Sequence, residues 1–476
     1  MDQKRVSRRE FMRLGSLAAA GATLAACQPQ VVEKTVEVEK VVEATVEVEK
    51  VVEVEVTSVP SAEEERVELL WWCGWPGSYM QAIAKAFEDK FRNIRLELGL
   101  FYTDAGQLLA AIAGGNPPDV VEDITYLETI ARGVILPIDD LVAVHPDIAF
   151  DDGDISTASW EAFMWEGKHY GVPSCDIAGR QGLGFNLDLI DEAGLDPDNL
   201  PTTWEECFAW HQQITTYDSA GNIEILGFDP MAERTNACSF GDPWMWPHMW
   251  GFNYIDENLE HHIDREETVE FLNVIKMFSD DVGVEQLEGF GEAMAGVSRG
   301  GFGRGTVAMR ITFPSGPVPV WRNNQNDTYD WTYVPVPESR KGITTQTAGG
   351  HAGLITKETK YPEECFELVV FLTQQEACDI LFEANGWVSP RKSWRETFDM
   401  SEYPEHVQED VRFFVDSLED ADEVWVVRDP IEGITESVWQ STYQAVQFGD
   451  MTPEEGAAHM QEELSRELAR FLEERE

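Results

Sequence analysis

Residues 108–123 read "LLAAIAGGNPPDVVED". Leu108, Leu109 and Ile112 recur at helical spacing among alanines, and two glycines close the run, as a left-handed helix end requires. Pro117 and Pro118 bar any continuation of the helix. "DVVED" is then short, apolar and β-branched, which predicts a buried strand. A glycine-closed helix running at once into such a strand is one step of an α/β chain. The pattern extends outward. "RVELLWWCGW" (66–75) predicts a strand entering a Gly/Pro turn. "GSYMQAIAKAFEDKF" (77–91) has the period of a helix, with Ile83, Ala84, Phe87 and Phe91 on one side, and "IRLELGLF" (94–101) alternates as a strand does. Strands alternating with helices argue for parallel sheets, whose ligands sit beyond the carboxyl ends of strands. Three positions qualify: Trp72–Trp75, Asp123, and the loop near Asp176.

With 476 residues, 43% of them apolar, the chain can bury a large core divided over two or three domains. Its formal charge of −53 repels phosphates and anionic headgroups, so neither nucleic acid nor a lipid surface is expected as a direct partner. Adaptation of the surface to a salty exterior and attraction of a cationic ligand both account for the acidity.

The first 27 residues carry a basic start, an uncharged stretch and a small-residue end, the layout of an export signal. Ser7-Arg8-Arg9-Glu10-Phe11-Met12-Arg13 resembles the twin-arginine consensus. Leu24-Ala25-Ala26-Cys27 resembles the bacterial lipoprotein box, which implies diacylation of Cys27. The apolar run Leu14–Ala26 is too short to span a bilayer comfortably. An exported protein held to the membrane only through Cys27 is expected. Residues 28–66 follow, with "VVEKTVEVEK" and "VVEATVEVEK" repeating at period ten, which is not a heptad. Val and Glu offer little to pack, so this segment is expected to be a disordered tether. Extended, it reaches on the order of 130 Å at about 3.3 Å per residue. Of the remaining cysteines no two form a Cys-x-x-Cys pair, so a structural zinc site is not expected, and disulfides and free buried thiols both stay open.

The opening stretch resembles the helix–GG–x–PDV–strand signature of family 1 extracellular solute-binding proteins, the maltodextrin-binding type of ABC importers. "IARGVILPIDDLV" (130–142), "GKHYGVPSCDIAGRQGLGFNLDLIDEAGLD" (167–196), "PTTWEE" (201–206), "GFGRGTVAMRITFPSG" (301–316), the region "TAGGHAGLITK … GWVSPRKS" (347–393) and "GDMTPEEGAAHMQEELSREL" (449–468) are similar to later family segments, in the same order. The resemblance covers Val67 to about Leu468. It implies a type II periplasmic-binding-protein fold: two Rossmann-like α/β lobes joined by crossing hinge segments, with ligand held between them. Lobe 1 would comprise 67–173 plus 349–390, and lobe 2 would comprise 176–346 plus 393–476. The crossings would lie near Pro173–Asp176, Thr347–Gly350 and Val388–Lys392. A ligand that bridges both lobes favours the closed form. A permease–ATPase complex then receives it, and no Walker motif appears in this chain. Neither a catalytic residue, a cofactor nor a metal is expected, and a single copy is the expected working unit.

A sugar offers flat C–H faces to aromatic rings and a hydroxyl rim to carboxylates, amides and arginine. The resemblance places a ligand contact at Asp123; by their position at strand ends or near the crossings, Trp72, Trp75, Tyr79, Asp176, Arg180, Arg310, Phe313, His351 and Trp387 are expected to touch ligand as well. In "GDPWMWPHMW" (241–250), Asp242 and Trp244 stand where maltodextrin binders carry an acid–Pro–aromatic loop, and Trp246 is expected to help line the cleft. Trp250 is expected to pack the lobe beneath. Where the family often has a tryptophan after the "A-M" strand, this chain reads "FPSGPV". Trp71 faces away from Trp72 on a strand and is expected in the core; Trp160, Trp165 and Trp204 are expected to pack as well. His261-His262 precedes a helix and is expected to be a surface pair, not a metal site. Two other functions stay open: the same fold with a non-sugar solute such as a cation, which needs a carboxylate-dominated pocket, and a secreted carbohydrate-active enzyme using two carboxyls. No Ser-His-Asp signature, H-E-x-x-H or nucleophile elbow is present.

Overall fold

The computed structural model describes residues 66–100, 105–122, 125–176, 179–231, 246–294 and 300–475. The expectations for the export signal, Cys27 and the tether to Glu65, and for Asp123, Asp242 and Trp244, fall outside these residues.

The opening stretch forms helix and strand as read. Strand β1 (Val67–Cys73) leads to helix α1 (Gly77–Lys90), strand β2 (Ile94–Leu100), helix α2 (Ala105–Ala113), strand β3 (Val120–Glu122) and helix α3 (Tyr126–Ala131). Gly115, just after α2, sits at φ 74°, the conformation that ends a helix most easily when no Cβ is present. Strands β4 (Gly171–Pro173) and β9 (Ala352–Ile355) complete a five-stranded sheet in the order β2-β1-β3-β9-β4. β1 pairs in parallel with both β2 and β3, and β9 runs antiparallel to β3 and β4.

The two faces of this sheet enter different cores. Leu69, Trp71, Cys73, Val120 and Ile355 pack with Met80, Ile83 and Phe87 of α1 and with Phe366, Val369 and Val370 of helix α6 (Pro362–Phe371). Val121 and Leu354, one residue out of phase, face the larger core instead. This is the two-residue alternation of a strand, and it puts Trp71 in the core as expected, with no exposed surface.

A second sheet contains strand β5 (Gly182–Asn186) between β6 (Met309–Thr312) and β7 (Tyr329–Thr332). Both ladders are antiparallel, so the parallel expectation holds for β1–β3 and not here. Helix α4 (Trp204–Ile214) starts at "PTTWEE" with a reciprocal capping box between Thr203 and Glu206. Helices α5 (Glu266–Val282), α9 (Glu432–Phe448) and α10 (Pro453–Arg475) surround the larger core, in which Trp204, Trp246, Phe271, Trp439 and Tyr443 are buried. Trp160 and Trp165 are buried too. Between β5 and β9 in sequence lies β8 (Thr345–Thr347), which pairs in parallel with β10 (Glu423–Trp425). Two further helices are α7 (Gln375–Asn385) and α8 (Glu405–Asp420). Among the described residues no helix is long and apolar enough to cross a membrane.

Five of the cysteines, Cys73, Cys175, Cys207, Cys365 and Cys378, are buried free thiols. Burial pushes the Cys175 and Cys207 thiols well up and raises Cys365 and Cys378 to about 12, so these sulfurs stay protonated and unreactive.

Candidate ligand-binding site

Three backbone segments, near 174–180, 347–351 and 388, run side by side. Ser174 N–H donates to His351 O (2.9 Å), and His351 N–H donates to Cys175 O (3.1 Å). Asp176 N–H donates to Val388 O (2.8 Å), and Arg180 N–H to Thr347 O (3.3 Å). These are the stretches where the crossings were expected. Two residues adopt positive φ there: Gly350 at 143°, and Asp176 at 54°, which is uncommon for a residue with a side chain.

Two groups of the expected ligand residues assemble on these segments. The first joins the β1–α1 turn to the chain near β9 and α7. The Trp75 ring lies 5.2 Å from Trp387 and 5.8 Å from His351, and Tyr79 meets Trp387 edge-on at 5.9 Å. Trp75 Nε1–H donates to His351 Nδ1 (3.4 Å), which leaves the neutral imidazole proton on Nε2, and Tyr79 O–H donates to Ala384 O (3.3 Å). Trp75 is 1% exposed and Trp387 8%. Neither offers an open ring face here, because each already packs against its neighbours in the group. Tyr79 and His351 remain half-buried.

The second group stands across the crossings. The Arg180 guanidinium lies 4.2 Å over the Phe313 ring and 3.6 Å from the buried Asp176 carboxylate. This arrangement fixes a planar donor array on a half-buried ring, a combination suited to the rim and face of a hydroxylated ligand. The groups meet through the backbone: Asp176 bonds to Val388, next to Trp387, and His351 bonds to Cys175, next to Asp176.

The remaining expected residues have these settings. Trp72 is half-buried on the opposite face of β1 from Trp71, with its indole against Gly99, where a Cβ would collide with the ring. Arg310 is buried on β6, opposite Gly184 of β5. The expectation for Trp246 is overturned: its ring has no exposed surface, stacks on Phe271 at 3.9 Å with the planes 6° apart, and donates Nε1–H to Tyr443 Oη (2.6 Å). Helices α5 and α9 cover it from both sides. Trp250 packs at 6.0 Å on Trp204. The His261-His262 pair is not wholly at the surface: His261 is 6% exposed and stacks near Tyr254, while only His262 faces outward, beside Asp256 at 3.2 Å. Ile255 and His261 bridge across a hairpin, so successive histidines must point to opposite sides. Asp256, Glu260 and His262 bring one ligand atom each within 4.8 Å of one another on that hairpin. A cavity of about 500 Å³ lined by His261, His262, Asp264, Arg265, Glu267 and Gln461 shares no residue with either ring group.

Sequence reasoning missed Glu122. It ends β3 with no exposed surface and accepts the Ser174 hydroxyl at 2.7 Å, linking the strand end to the first crossing. The only signal was its place in "VVED", one residue before the chosen Asp123. His248 was also passed over, and it links β8, through Thr345, to Gln181 just before β5.

A family model described as bacterial extracellular solute-binding protein matches residues 82–409. The chain belongs to this family. Its members are exported proteins that bind solutes. A relative from Bacillus subtilis (strain 168), the arabinooligosaccharide-binding protein, is 22% identical over 334 residues, covering 65% of this chain and 70% of the relative. Among solved structures, CpMnBP1 with mannotriose bound superposes with a TM-score of 0.70 at 22% identity, over 84% of this chain and all of that one. An ABC substrate-binding protein from Listeria monocytogenes in complex with cycloalternan gives 0.68 at 18% identity, over 85% of this chain and 99% of the other. These likenesses establish the two-lobe α/β fold.

Proposed function

We propose that this protein captures a carbohydrate between two lobes and delivers it to the permease of an ABC importer. The supporting observation is a juxtaposition: an aromatic group with half-buried Tyr79 and His351 is linked by backbone hydrogen bonds to the segment bearing Asp176 and Arg180, whose guanidinium lies over Phe313. Rings for C–H faces and charged groups for hydroxyls stand at the point where hinge segments meet. The sugar ligands named for the relatives favour the same class. Lobe 1 is taken as 67–173 plus 349–390 and lobe 2 as 176–346 plus 393–476. The twin-arginine signal and Cys27 would place the lobes outside the cytoplasmic membrane on an acidic tether. Asp123, Asp242 and Trp244 belong to the proposed contact set, with Trp244→Ala expected to weaken binding more than about tenfold.

Thermal shift and tryptophan fluorescence across a panel of mono- and oligosaccharides test this. A cognate sugar should raise the melting temperature and change the emission. Silence across the panel removes the carbohydrate assignment, and turnover of a labelled oligosaccharide removes the binding-only reading.

A further inference from the structure

His248 lies in the tryptophan-rich stretch, in the short 3-10 turn Pro247–Trp250, and is 2% exposed. Both of its ring nitrogens are engaged. Nδ1 is 3.0 Å from Thr345 Oγ1 on β8, and Nε2 is 3.1 Å from Gln181 Oε1. Among the described residues, the Gln181 side chain makes its hydrogen bond to His248 alone, because its Nε2 has no partner. Gln181 follows Arg180 directly in the chain. Its backbone is clamped by one amide: Gln346 Oε1 accepts Gln181 N–H (3.2 Å), and Gln346 Nε2 donates to Gln181 O (2.6 Å) and to Ser417 Oγ (3.0 Å). Gly179, two residues earlier, leaves no room for a Cβ because Ser417 and Gln346 fill that space.

We propose that His248 is a positioning residue for Arg180: it holds Gln181, and through it the segment that presents the guanidinium over Phe313. Gln346 fixes the backbone from one side and His248 fixes the side chain from the other. The buried network therefore ties the tryptophan-rich turn to the first and second crossings. A buried pair of this kind is costly to break from one side only, so its effect reaches the Gln181 segment and not only the turn. The consequence for ligand affinity rests on the carbohydrate reading above. The positioning itself does not.

The two amide replacements separate the two arms of the imidazole. Asparagine reaches about as far as Nδ1 and keeps a polar atom for Thr345. Glutamine reaches about as far as Nε2 and keeps one for Gln181, as donor or acceptor. Hydrogen–deuterium exchange on the ligand-free full chain is the readout, with strand β1 as internal control. In His248→Asn the amides of residues 179–186 should exchange about tenfold faster, and in His248→Gln within about threefold of the parent, with β1 unchanged in both. Gln181→Ala should reproduce the asparagine pattern, and Thr345→Val should not. Equal acceleration in both His248 variants, or none in either, overturns the proposal. Where an oligosaccharide such as mannotriose binds the parent, affinity should follow the same order. An exchange pattern as expected with no sugar bound by the parent would leave the positioning role standing and remove the carbohydrate reading.

Discussion

The ring group at the crossings, Trp75 with Tyr79, His351 and Trp387, and the ring group under the 247–250 turn, Trp246 with Trp250, Phe271 and Trp439, are equally dense in aromatic surface. Their margins differ. The first ends in two half-buried polar rings and is joined by backbone hydrogen bonds to the segment of Asp176 and Arg180, with Phe313 beneath the guanidinium. The second closes on itself: helices α5 and α9 cover it, and the Trp246 indole N–H is satisfied by Tyr443. Indole content alone therefore says nothing about ligand contact. What distinguishes the two groups is whether the rings stop at half-buried polar groups or are covered on every side.

The sharpest way to break this contrast is Trp246→Ala. Loss of a fully buried indole should cost about 3–5 kcal/mol in urea unfolding, with the ligand affinity of the folded fraction nearly unchanged. A large affinity loss at intact stability would return Trp246 to the cleft.

Acid should lower stability through His211, which is buried beside the closed group. His211 lies 5.1 Å from Phe278, which adjoins Trp204, and burial lowers its pKa to about 4, with Asp281 opposing the shift. A histidine depressed in the folded state must take up a proton on unfolding below its ordinary value of 6.5. Its contribution is thus present above pH 6.5 and is lost as pH falls toward 4, on the order of 3 kcal/mol in all. Unfolding free energies measured between pH 7 and 4 should show this slope, and His211→Asn should flatten it.

A smaller effect tests the far face of β1. In Gly99→Ala the new methyl group meets the Trp72 indole, so stability should fall by about 1–3 kcal/mol. Near-ultraviolet circular dichroism should report the displaced ring. An unchanged spectrum and stability would show that Trp72 yields freely.

Arg180→Ala should do the reverse of Trp246→Ala. The side chain is only partly exposed, yet its partners Phe313 and Asp176 lie at the crossings. Binding of a cognate sugar should weaken at least about tenfold, or about 1.4 kcal/mol, by calorimetric titration, with a lesser change in melting temperature.

Much of the first sheet was legible because its elements are periodic. "LLAAIAGGNPPDVVED" contains a helix, its glycine stop and a buried strand within sixteen letters, and α2 and β3 form there. Strand alternation likewise separates buried Trp71 from half-buried Trp72. The site was legible only in part. The stretches expected to cross do lie side by side, and Trp75, Tyr79, His351 and Trp387 do gather, whereas Trp246 and His261 turned inward against expectation. Both lie in short irregular segments, where no period says which side faces the core.

The sequence by itself determined the alternation of strands and helices, the order of segments that marks the family, and the excess of acid. These depend on neighbours a few residues apart, where backbone geometry and apolar spacing act. Only the tertiary structure decided which rings are closed off and which end at polar groups. Trp246 is covered by Phe271 and Tyr443, the latter 197 residues away, and His248 is held by Thr345 and Gln181, 97 and 67 residues away. Burial and hydrogen bonding of a loop side chain are set by whichever distant surface covers it, and no local pattern carries that choice.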